Sequence, residues 1–175
     1  MSNFHLSSAK LAVEHVKKYI TMGASNKFSD MLGTLTVVKF CTNAMYKKVD
    51  AQLAAYPDAQ FVNNHDEITF NRRFLQANAE WSKIYGCGNC AEQSSLAFTY
   101  LEKQNIFPLD WVCTENWSHA FVILNRRRGS EINNYQTWGD SAVVCDPWKD
   151  IADYSRNQGS YLKDLSLNWL YGRIR

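Results

Sequence analysis

The N-terminal half of the chain places its apolar side chains at helical spacing. Leu11, Val13, Val16, Tyr19 and Ile20 recur on one face, with Ser7 or Ser8 as a cap and Gly23 as a stop. A second helix is predicted after Asn26, carrying Phe28, Met31, Leu32, Leu35, Val38, Met45 and Val49 and ending before Pro57. Gly33 and the β-branched residues of 34–38 lower its helix propensity. Residues 58–67 form a polar connector, and the spacing predicts a third helix over 68–82.

The pattern then changes. Gly86-Cys87-Gly88-Asn89 predicts a tight loop, with Asn89 as N-cap of a helix over 90–104. Beyond Pro108 the apolar runs are short and β-like, over 111–114, 119–124 and 142–145, with a polar loop over 126–136. Apolar positions in 161–171 predict a closing amphipathic helix. Helices first, then a helix backed by consecutive strands, is an α+β order. A length of 175 residues suits one domain. It divides into a helical part over 1–82 and a core of helix and antiparallel strands over 83–175.

Composition serves mainly to exclude. Hydrophobic residues make up 46 % and include nine Phe, nine Tyr and six Trp, so a disordered chain is excluded. The net charge of +2 is too small for a dedicated nucleic-acid binder. The longest apolar run, 120–124, falls far short of the roughly 18 residues of a membrane span. Residues 1–10 lack the apolar core of a signal peptide. The five cysteines, Cys41, Cys87, Cys90, Cys113 and Cys145, read as mostly free thiols of a reducing compartment. The expected location is the cytoplasm, or a host cytosol if the protein is delivered as an effector.

Three residues carry candidate chemistry. Cys90 opens a predicted helix, where unpaired N–H groups and the helix dipole favour a thiolate and can hold an oxyanion. His119 opens one strand and Asp146 ends the next, with Pro147 as a stop. If those strands pair antiparallel, His119 and Asp146 emerge at the same end of the ladder. That is the geometry of a base and its orienting carboxylate.

The strings Gly88-Asn89-Cys90-Ala91-Glu92-Gln93, Ser118-His119-Ala120-Phe121-Val122 and Val144-Cys145-Asp146-Pro147-Trp148 resemble the transglutaminase-like branch of the papain-like thiol enzymes. The resemblance spans residues 86–148. It implies a papain-like core with Cys90 as nucleophile, His119 as base and Asp146 as its partner. It also implies attack on a protein or peptide amide, followed by hydrolysis or transfer of the acyl group. The short Cys90–His119 spacing suits a minimal bacterial-type deamidase or effector, and a cysteine protease is the alternative within the class. The chemistry requires no cofactor or metal. Asn89, Trp81 and Tyr85 are candidates for a second oxyanion donor, and Trp117 for substrate binding.

Competing readings attach to the same residues. Cys87 and Cys90 form a CxxC pair, and Cys87, Cys90, His119 and Cys145 are a conceivable zinc set, which would make the chain a non-catalytic domain. Cys87 otherwise reads as a packing neighbour or redox brake on Cys90. His65 is a rival base that also reads as part of a helix N-terminus. Arg126-Arg127-Arg128 reads as a solvated loop or a docking patch. Trp117, Trp138 and Trp148 read equally as core or as walls of a substrate groove.

Overall fold

A computed structural model describes residues 2–25, 37–56 and 64–174. Among the described residues four long helices come first: α1 (Ser2–Tyr19), α2 (Val37–Ala54), α3 (Asn64–Tyr85) and α4 (Cys90–Lys103). Strands β1 (Leu109–Thr114), β2 (Ala120–Leu124), β3 (Val143–Asp146) and β4 (Ile151–Tyr154) follow. A short helix α5 (Gly159–Leu162) precedes β5 (Leu167–Arg173). The strands form one antiparallel sheet in the order β4-β3-β2-β1-β5. The architecture is α+β.

Strands β1, β2 and β3 are buried along their whole length, so both faces of the sheet are covered. Trp111, Cys113, Val122, Val143 and Cys145 meet Ala12 and Val16 of α1 and Leu96, Ala97 and Leu101 of α4 in one cluster. Val112, Phe121, Ile123 and Val144 form the other, closed by Trp138, Ala142, Leu162 and Leu167. Period-two alternation thus divides one run of apolar residues between two cores. Two buried hydrogen bonds tie the layers together. Trp111 donates its indole N–H to Ser94 Oγ at 2.9 Å, joining β1 to α4, and Asn71 Nδ2 donates to the Leu170 carbonyl at 3.1 Å, joining α3 to β5.

Several boundaries differ from those expected. Helix α1 runs on through Ser7 and Ser8, because Ser8 turns its hydroxyl back to the Phe4 carbonyl at 2.8 Å instead of capping. Helix α3 is longer than 68–82 at both ends. The expected positions Phe28, Met31, Leu32 and Leu35 of the second helix, and most of the 58–67 connector, lie outside the described residues. The closing helix over 161–171 is replaced by α5 and β5. Its apolar spacing fits either form, and the strand wins by pairing the edge of β1, whose N–H and C=O groups need partners. A bulge between Trp111 and Val112 absorbs the change of register.

The cysteines depart from expectation at one pair. Cys41 of α2 and Cys87 form a disulfide across a sequence separation of 46, while Cys90, Cys113 and Cys145 are free. Chain entropy makes a cross-link of that span worth about 2–4 kcal/mol. Cys41→Ser should therefore lower the urea midpoint by the equivalent of about 2–4 kcal/mol, and reductant should lower the parent protein to the same level. A parent protein indifferent to reductant would contradict the bond's contribution.

Candidate active site

The loop before α4 is shaped by backbone constraints. Gly86 has φ +73°, accepts from Met22 N at 2.9 Å and donates to the Ser82 carbonyl at 2.8 Å. A Cβ on Gly88 would stand 2.6 Å from Glu92 Cβ, so the chain can enter the helix here only as glycine. Asn89 takes the N-cap position with extended backbone. Its N–H donates to Glu92 Oε2 at 2.8 Å, one half of a capping box. The Asn89 amide donates to Tyr46 Oη of α2 at 2.8 Å and accepts from Ser25 Oγ at 3.2 Å. Burial pushes the Glu92 carboxyl upward from its ordinary value, against the hydrogen bonds that it accepts.

Cys90 is the first residue of α4 and is 7 % exposed. Its Sγ lies 3.8 Å from the Ser118 carbonyl, at the end of the turn joining β1 to β2. That turn is braced from both sides. Thr114 N donates to the His119 carbonyl at 2.9 Å, and His119 N donates to Thr114 Oγ1 at 3.1 Å. His119 thus enters β2 from an anchored position.

Strand β3 pairs antiparallel with β2, Val122 opposite Cys145. Its last residue, Asp146, therefore comes out beside His119, and Pro147 ends the strand by opening a 3₁₀ turn. His119 Nε2 and Asp146 Oδ2 are 2.6 Å apart. Asp146 has no solvent exposure, and its remaining capacity is taken by Tyr161 Oη, which donates to Oδ2 at 2.8 Å, and by Lys149 N, which donates to Oδ1 at 3.2 Å. The imidazole packs against Phe121, Trp148 and Tyr161, with ring centroids 6.0, 5.4 and 6.4 Å away.

Burial by itself pushes the His119 imidazole down. The hydrogen bonds and charges of Asp146 and Cys90 outweigh it and raise the pKa to about 9. Nε2 is the nitrogen that faces Asp146, and Cys90 is the second group that raises the imidazole. A thiol and a buried carboxylate thus both bear on one imidazole, the three groups supplied by α4, the start of β2 and the end of β3.

The other candidates divide. Asn89 lies next to Cys90 and holds the network to Tyr46. Trp81 gives its indole N–H to Gln52 of α2, and Tyr85 packs its ring on Trp81, so both serve the seating of α2 on α3. Trp117 is 63 % exposed on the β1–β2 turn with φ +56°. Trp148 stands at the imidazole, whereas Trp138 is core, its N–H on the Glu131 carbonyl. His65 falls inside α3, and its side chain lies outside the described residues. Arg126 is neither solvated nor a docking group, because it is paired with Asp110 at 2.8 Å and bonded to Ser130. Tyr46 and Tyr161 are the neighbours that sequence reasoning missed. Tyr161 lay in a segment read as helix, where it counted only as an apolar position.

The competing thiol readings lose their geometry. Cys87 is spent on Cys41, so no Cys87–Cys90 dithiol stands free. Cys145 Sγ lies 3.7 Å from the Ala9 carbonyl of α1, away from the Cys90 loop. Among the described residues no group of three or more His, Cys, Asp or Glu side chains is placed to hold a metal. Among them, too, no helix is long and apolar enough to cross a membrane. No protein-family model, curated protein or solved structure matches the chain.

The imidazole can be followed directly. His119 should titrate near pH 9 in the NMR spectrum, and both Asp146→Asn and Cys90→Ala should bring the midpoint down toward or below the ordinary 6.5, since each removes a partner of the cation. The raised value also gives the linkage its sign. The charge contributes stability that is whole below about pH 6.5 and lost as pH climbs through about 9. A wild-type midpoint at 6.5 or lower would break the proposed arrangement.

Proposed function

We propose that this chain is a transglutaminase-like thiol enzyme with a papain-like core, cleaving the side-chain amide of a protein or peptide glutamine and passing the acyl group to water or an amine. The observation that carries the reading is the His119 Nε2–Asp146 Oδ2 contact of 2.6 Å, with Cys90 also acting on the same imidazole. The motif strings around Cys90, His119 and Asp146, and the helix laid across an antiparallel sheet, support the same assignment.

The chemistry follows from the geometry. The Cys90 proton passes to His119, and the resulting imidazolium is held by Asp146. The thiolate attacks the amide carbon, and the C–O electron pair moves onto oxygen. N–H groups in the first turn of α4 face that charge. As the tetrahedral intermediate collapses, the C–N bond breaks and His119 returns its proton to the departing nitrogen, releasing ammonia and leaving a thioester on Cys90. Water or an amine, deprotonated by His119, then attacks the thioester and frees the sulfur. No step needs a metal or an external oxidant.

Reactivity of the three free cysteines tests the reading without knowledge of the natural substrate. Burial pushes Cys113 up to about 11, the charge of Cys90 adding to it, and burial also pushes Cys145 upward, so both should resist alkylation in the folded protein. Iodoacetamide at pH 7 should map to Cys90, and His119→Ala should slow that labelling at least about tenfold. Ammonia release from glutamine peptides should vanish in Cys90→Ala and fall by about a hundredfold or more in Asp146→Asn. Labelling of Cys90 no faster than of Cys113, or indifferent to His119→Ala, would sink the proposal.

A further inference from the structure

The Asp146 carboxylate is held at more points than a partner for one imidazole requires. Its side chain is wholly buried at the end of β3, so both oxygens need donors. Lys149 N serves Oδ1 at 3.2 Å. Oδ2 receives two donors, His119 Nε2 at 2.6 Å and Tyr161 Oη at 2.8 Å. The tyrosine is itself fixed. Its ring stands edge-on to His119, tilts against Phe121 at 5.8 Å and lies under Lys149 Nζ at 4.6 Å, while the next residue, Leu162, is buried in the core.

We propose that Tyr161 is a positioning residue for the His119–Asp146 pair, its hydroxyl sharing Asp146 Oδ2 with the imidazole and so setting both the orientation of the carboxylate and the charge that His119 feels. Without the phenol, the carboxylate is tied only through Lys149 and His119, and nothing reserves Oδ2 for its present direction. With it, a second donor draws electron density from the oxygen that faces the imidazolium. The His119–Asp146 attraction is thereby moderated, and the imidazolium remains a good enough acid to give its proton to a leaving nitrogen. Tyr161 is not a proton source in this scheme. Burial, then the charge of Asp146, push its own hydroxyl far upward, so it stays a donor. The ionisable groups that bear on the imidazole are Asp146 from β3 and Cys90 from α4, with Tyr161 reaching in from α5. Lys149, over the far ring, adds its charge to the tyrosine.

The kinetic consequence rests on the amide-cleaving reading, whereas the effect on the imidazole does not. Tyr161→Phe keeps the ring and removes only the hydroxyl. The His119 midpoint should then rise from about 9 by roughly half a unit or more, because the remaining ion pair is no longer shared. On glutamine peptides kcat should fall about tenfold with KM unchanged. Site-specific 3-fluorotyrosine at position 161, a stronger donor of nearly the same shape, should move the midpoint the opposite way. A residue that merely packs would leave the midpoint in place in both proteins, and that result overturns the proposal. Should Tyr161→Phe fail to fold, the fluorinated protein decides alone. A wild-type protein that releases no ammonia would defeat the enzymatic reading, while the two titrations would still decide the role of Tyr161.

Discussion

A carboxyl group with no access to water has to be surrounded by donors, and Asp146 is the point at which the fold meets that demand. Three chain segments converge to supply it: the start of β2 through His119, the 3₁₀ turn after Pro147 through Lys149 N, and α5 through Tyr161. Removing the imidazole would leave a buried acceptor short of a donor, which costs more than the net worth of the bond. The antiparallel register of β2 and β3, Val122 opposite Cys145, is what brings the end of β3 to the start of β2 and so Asp146 to His119. A one-residue slip would turn Asp146 to the opposite face of the sheet. The site and the core are therefore held by the same constraint.

The parts of this arrangement that were legible in the sequence are those with local signals. Asn89 before an apolar periodic run marks the start of α4, and the mainly apolar runs of β1, β2 and β3 mark a sheet covered on both faces. Pro147 after Asp146 marks a strand end. The antiparallel order of β2 and β3 follows once the three runs are accepted as a meander. What was not legible depends on contacts remote in sequence. Nothing near Cys41 names Cys87 as its partner. Residues 161–171 have spacing that suits a helix, and only the unpaired edge of β1 makes the chain from Leu167 on a strand. Tyr161 gains its bond to Asp146 from that same segment, so misreading the segment concealed the residue. Arg126 read as one of three loop arginines because Asp110, its partner, sits in an otherwise apolar strand.

The N-terminal helices are tied to the loop before Cys90 by specific links as well as by apolar contact. The disulfide fixes Cys41 of α2 to Cys87, three positions before Cys90. Tyr46, about one helical turn further along α2, receives the Asn89 amide. Ser25 reaches Asn89 from the segment after α1, and Gly23 accepts from Gly88 N at 3.2 Å. The loop that presents Cys90 is thus held from the α1 side and from α2, and its glycines let the backbone come that close. A helical part without any motif of its own still has a structural reason to be there, since it fixes the N-cap from which the cysteine projects.

The distribution of charge around Cys90 gives those links a further meaning. A thiolate at the first turn of α4 would share that turn with Glu92, two residues on and buried. Two anions this close would repel each other and compete for the same helix end. Burial pushes the Glu92 carboxyl toward its neutral form, and the bonds from Asn89 N and Tyr46 pull the other way. Burial is the larger influence, so the turn is shifted away from a second negative charge. Glu92 can then serve the capping box while the positive end of the helix acts on the sulfur. His119 faces two groups of negative character, Cys90 and Asp146, and its own raised pKa expresses that excess. The cation is held by the carboxylate at Nε2, and in the proposed reaction its proton is the one that a departing nitrogen would take.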